Sequence, residues 1–223
     1  MDQTVNKEFF DACAAGDLAK ASATIKKGAD VNMANGDGRT ALMRSAKRGH
    51  KEIVQLLLDN GANPRARDKD NKTALMGAAK KGHLDICKLL VEAGADVNSH
   101  DNNRRTSLMR AAFLGNLNVV EFLVQKGAQI DAQDHKGRTA LMEATLAFKV
   151  DVIQYLVESG ANVNKQDNVG STALMRAAYG GYVDLVIYLL EKGADKTIKD
   201  NEGNPAIHYV RTECYEELKG YLK

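Results

Sequence analysis

The residues able to do chemistry are few and scattered. Cys13, Cys87 and Cys214 are odd in number, far apart and without a CxxC. They suit a reducing, cytoplasmic compartment rather than a disulfide framework or a thiolate cage. His100 and His135 stand beside Asp101 and Asp134 on neighbouring polar turns. Zinc wants three or four ligands at set distances, so this group makes a weak site at most. The stretch DKDNKT at 68–73 has the outline of a calcium loop, but the sharp-turn glycine and the distant glutamate ligand are missing. No GxSxG, HExxH or phosphate-cradling glycine loop occurs. The expectation is a chain with no catalytic residues, no metal and no cofactor.

The composition is that of a globular protein, 44% apolar and 27% charged over 223 residues. No run of about 18 apolar residues exists to cross a membrane. The N-terminal MDQTVNKEFFDACAAGD is polar and acidic, with no apolar core for secretion. The net charge of +2 conceals an asymmetry. Between residues 39 and 81, 11 Lys and Arg face 4 Asp and Glu; between 139 and 195, 4 face 7.

What must position these groups is a repeat. Gly-Ala recurs at 28, 61, 94, 127, 160 and 193, always 33 residues apart. Thr40, Thr73, Thr106, Thr139 and Thr172 keep the same spacing, each opening TALM or TSLM. Each unit starts with a polar tip such as NGDGR or DHKGR, which is turn chemistry. The threonine then caps a short helix, which buries Leu42, Met43, Ala46 and their equivalents. After a glycine turn comes a second helix with a near-continuous apolar face: IVQLLL, ICKLLV, VVEFLV, VIQYLV, LVIYLL. The glycine of Gly-Ala ends it.

A 33-residue period of helix, turn, helix and hairpin tip resembles the ankyrin repeat over nearly the whole chain. The family's usual T-P-L-H is T-A-L-M here; only the last unit, NPAIH, keeps a Pro and a His. There Asn204 is the expected cap and Pro205 the first helical residue. Met43, Met76, Met109, Met142 and Met175 replace the family's His and read as packing between repeats. The resemblance implies an all-α solenoid of stacked helix-turn-helix units with β-hairpin tips, forming one domain over 1–223. Its parts would be a capping repeat at 1–34, full repeats at 35–67, 68–100, 101–133, 134–166 and 167–199, and a truncated capping repeat at 200–223. The caps carry the polar outer faces such ends need, as with Lys20, Thr24, Lys219 and Lys223.

The resemblance also implies function through binding, on a concave surface built from the tips and the ends of the first helices. Just before each threonine stand Arg39, Lys72, Arg105, Arg138 and Ser171. Four and five places after each Met stand Lys47 and Arg48, Lys80 and Lys81, Phe113 and Leu114, Leu146 and Ala147, Tyr179 and Gly180, with Tyr182 at the far end. The early units are basic and the later ones apolar and aromatic. Burying four of the apolar side chains contributes about 6–8 kcal/mol before association costs. The expected partner of this monomer is a protein segment with hydrophobic anchors beside an acidic stretch. Two alternatives stand: an inhibitor or regulator of a partner enzyme, and nucleic-acid or polyanion binding through KRGHK and AKKGH. Against nucleic acid, the basic half has no interleaved aromatics to stack bases and the acidic half repels phosphates.

One unit breaks the pattern. In TALMEATLAFKVD, Phe148 replaces the glycine that ends the first helix elsewhere. A bulky residue there is strained by roughly 1 kcal/mol. It is either a site at the groove's edge or an irregular unit tolerated between good neighbours.

Overall fold

A computed structural model describes residues 3–223. Two compact units divide the chain, Met1–Ser107 and Leu108–Lys223. The helices are α1 (Gln3–Ala15), α2 (Leu18–Lys26), α3 (Ala41–Arg48), α4 (Lys51–Asp59), α5 (Ala74–Lys81), α6 (Leu84–Glu92), α7 (Ser107–Leu114), α8 (Leu117–Gln125), α9 (Ala140–Leu146), α10 (Val150–Glu158), α11 (Ala173–Gly180), α12 (Val183–Glu191) and α13 (Thr212–Leu222). A 3-10 turn at Ala206–Tyr209 precedes the last. No helix is long and apolar enough to cross a membrane among the described residues.

In the first unit α1, α3 and α5 pack in succession as one layer and α2, α4 and α6 as another. In the second, α9 packs on α11 and α11 on the 3-10 turn, with α8 on α10 and α12 on α13 behind them. Between the layers lies the apolar stripe of each helix: Leu42, Leu75, Leu141 and Leu174 from the first helices, Ile53, Leu57, Ile86, Leu90, Ile153 and Leu156 from the second. Each leucine so buried is worth about 1.5–3 kcal/mol. The five TALM or TSLM methionines are all buried as well.

The first helices begin at a side-chain cap. The hydroxyl oxygens of Thr40, Thr73, Thr139 and Thr172 accept from the amides of Met43, Met76, Met142 and Met175 at 3.3–3.4 Å. The last unit departs from its expected start. Pro205, in extended backbone, is itself the cap residue, and it has no side-chain acceptor. Only the short 3-10 turn follows where a full first helix stands elsewhere.

The expected β-hairpin tips are absent. No strand occurs among the described residues, only isolated bridges at Ala34–Thr40, His100–Thr106 and Lys199–Pro205. The cause is an acid or amide side chain at the start of each tip. A hydrogen-bonded antiparallel pair exchanges two N–H···O=C bonds. At Asp134 the backbone amide donates to the carbonyl of Arg138. The return donor, the amide of Arg138, goes instead to Asp134 Oδ1 at 2.9 Å, which also takes the amide of Lys136. Asn35, Asp68, Asp101, Asp167 and Asp200 divert the same bond. Half of each rung is spent on a side chain, so no ladder propagates.

Candidate partner-binding surfaces

At the turn between first and second helix Phe148 breaks the rule the other units keep. Gly16, Gly49, Gly82, Gly115 and Gly181 occupy this turn with φ of 73–86°, and Phe148 with φ 50°. The residue after the next repeat's turn covers it. A Cβ on Gly16 would stand 2.9 Å from the ring of His50, one on Gly49 2.8 Å from His83, and one on Gly115 2.8 Å from Lys149. The covering residue for Phe148 is Tyr182, and the two rings stack at 4.1 Å and 26°. The Tyr182 ring also lies where Gly180 has no side chain, 2.4 Å from the position of its absent Cβ. Phe148, Gly180 and Tyr182 are therefore a matched set rather than an isolated lapse. A stacked pair is worth about 0.5–1.5 kcal/mol, enough to offset the left-handed strain.

Apolar side chains are exposed around this set. In the second unit Phe113 is 38% exposed, Leu114 40%, Leu146 47%, Phe148 46% and Tyr179 66%, while Tyr182 is half-buried. Val150, Val169, Tyr215 and Tyr221 of the same unit are exposed as well, with Val169 on a tip whose counterparts are polar. The first unit exposes only Leu18 among its described large apolar residues. Arg211 adds a cation: its Nε donates to the Tyr179 carbonyl at 2.9 Å and its guanidinium lies 6.0 Å from that ring. Val169 was legible in register with Asp37, Asp70 and Lys136. Arg211 was not, since a short 3-10 turn stands where the full first helix would have placed it.

The cations proposed for the rim have different fates. Arg138 reaches Asp134 Oδ2 at 2.9 Å and Glu143 Oε1 at 3.0 Å, both carboxylates buried. Its charge is committed within the fold. Burial disfavours the charged form of Asp134, but the Arg138 and Lys136 amides and the Arg138 guanidinium outweigh it and hold the carboxyl below its usual range. Arg39 leans on Asp37 and Asp68, and Lys72 pairs with Asp70 at 2.7 Å. Arg105 is half-buried, its amide donating to Asp101 Oδ1. Lys47, Arg48, Lys80 and Lys81 stand exposed on the last turns of α3 and α5, with Arg48 also donating to the Ala14 carbonyl.

No group of three or more His, Cys, Asp or Glu is placed to hold a metal among the described residues. Burial pushes the Cys13 and Cys87 thiols up to about 12, so neither is a nucleophile near neutral pH.

Helix pairs joined by side-chain-closed tips at a 33-residue period define a repeat protein of one kind. The chain belongs to the ankyrin-repeat family: a model described as ankyrin repeats in three copies matches residues 9–101, 64–134 and 108–200. It is similar to a probable E3 ubiquitin-protein ligase, XBOS33, of Oryza sativa subsp. japonica, at 44% identity over 54 residues. It is also similar to acyl-CoA-binding domain-containing protein 6 of Bos taurus, at 43% over 54 residues. Each match covers 24% of this chain and only 10% and 19% of those proteins. Among solved structures, the human ASB11 ankyrin repeat domain superposes with a TM-score of 0.88 at 24% identity, covering 96% of this chain and 97% of that one. The ankyrin repeat domain of Bcl-3, a member of the IkappaB family, gives 0.83 at 27%, covering 96% and 98%. As a member of that family the chain is an ankyrin-repeat scaffold.

Proposed function

We propose that the scaffold takes a partner protein segment on its first-helix ends, with Phe113, Leu114, Leu146, Phe148 and Tyr179 receiving apolar anchors. The observation that carries this is the concentration of exposed apolar side chains in one unit, where five stand at the ends of successive first helices or on the turn that follows. Scattered single hydrophobics need no explanation, but a repeated set does. About half of each side chain is already covered, so docking recovers about 1 kcal/mol per residue, roughly 5 in all before association costs. Exposed charges act differently. They are screened over about 8 Å at physiological salt, so the cations steer and select for acidic residues while the apolar contacts set affinity. The protein acts as an intracellular monomer in this reading.

The test is a displayed peptide library selected on wild type and on Phe113→Ala/Tyr179→Ala. Both residues are exposed, so the variant keeps the wild-type helical circular dichroism. Peptides with apolar anchors should bind wild type and lose about tenfold or more on the variant. Equal affinity for both would remove the apolar surface from the account.

A further inference from the structure

The unit Met1–Ser107 carries a feature of its own. The last turns of α3 and α5 end in Lys47–Arg48 and Lys80–Lys81. Neither helix contains an acidic residue, and the two pack side by side, which sets the two cation pairs one helix spacing apart. Several acids of the unit lie on other elements. Asp68 and Asp70 sit at a tip with Arg39 and Lys72, Asp85 on α6 with Lys51, and Glu8 and Asp11 on α1 beyond α3. Gly77 brings the pairs together. A Cβ there would fall 3.2 Å from Lys47 Cβ, so the Lys47 stem lies directly on α5. A glycine inside a helix costs about 1 kcal/mol relative to alanine, and this close approach is what it permits.

We propose that these four cations form a docking site for an extended acidic peptide with a carboxylate at every third residue. This rests on the reading of the chain as a protein-binding scaffold and names the chemistry of a partner segment. Packed helices lie about 8–10 Å apart. A polyproline-II chain has 3 residues per turn and a rise of about 3.1 Å, so it returns to the same face after about 9 Å. Carboxylates three residues apart therefore meet successive cation pairs. Nucleic acid fits less well. The unit has no Tyr or Trp and its two Phe, Phe9 and Phe10, are buried, which leaves only the half-buried imidazoles of His50 and His83 beside the cations to stack on bases.

The full chain is titrated with a fluorescent peptide of Glu-Ala-Pro triplets and with an isomer of the same composition whose glutamates are contiguous. The triplet peptide should bind at least about threefold tighter than the isomer. Lys47→Gln/Lys81→Gln should weaken it about tenfold, while Lys26→Gln/Lys88→Gln, a charge-matched change on α2 and α6, leaves it within about twofold. Equal losses in the two variants, or equal affinity for the two peptides, overturn the site in favour of diffuse attraction. DNA of matched charge that binds tighter than the triplet peptide and depends on the same lysines overturns the peptide assignment. Phe113→Ala/Tyr179→Ala leaves triplet affinity unchanged, so failure of the apolar surface and failure of this site are read separately.

Discussion

Replacing Phe148 by glycine should cost less than replacing it by alanine, the reverse of the order inside a helix. Three terms decide this. The left-handed backbone at φ 50° strains any residue with a Cβ by about 1 kcal/mol. The stack on Tyr182 contributes about 1 kcal/mol, and the covered half of the ring about another 1. Phe148→Ala keeps the strain and loses both contacts, for a loss of about 2 kcal/mol. Phe148→Gly loses the same contacts but relieves the strain, for a loss of about 1. In a Tyr182→Ala background the stack is already gone, so Phe148→Gly becomes nearly neutral. Urea unfolding followed by circular dichroism on the single and double variants measures these differences. The coupling between the two positions should be about 0.5–1.5 kcal/mol. An alanine variant as stable as the glycine one, or a coupling near zero, would refute the matched-set reading and make the stack incidental.

Two further outcomes follow from the tips. Arg104 holds φ 59° at a tip position where Gly38, Gly137, Gly170 and Gly203 stand in other units, so Arg104→Gly should raise stability by about 1 kcal/mol, read as a higher urea midpoint. Asp134 has its folded pKa held below the usual carboxylate value, burial working against this and the Arg138 and Lys136 contacts overcoming it. Its contribution is therefore complete above about pH 4, the unfolded value, and is lost as pH falls through the lower folded value. Asp134→Asn should cost about 2 kcal/mol at pH 7, and that deficit should shrink toward zero by about pH 2. A deficit that stays constant across that range would show that charge is not what Asp134 contributes.

Much of the architecture was legible because it is periodic. Thr40 and its equivalents announce helix starts, since a hydroxyl before an apolar-periodic stretch has orphan amides to satisfy. The apolar faces of the second helices can be buried in only one register. The left-handed turn at Phe148 was legible too, from the glycines that hold the place in other units. Other features depend on where side chains go, which spacing does not encode. The tips have hairpin composition, yet Asp134 and its counterparts compete for the amide that a strand pair needs, and the side chain wins. Arg138 looked like a rim cation until Asp134 and Glu143, nine residues apart in sequence, met around it. Tyr182 and Phe148, thirty-four residues apart, became a stack only because one repeat's turn lies against the next. The sequence by itself determined the repeat, its helices and the division into basic and apolar units, because local periodicity and burial suffice for those. Tertiary structure alone decided which charges remain available to a partner and why an aromatic is tolerated in a glycine's place, because both depend on contacts between residues far apart in the chain.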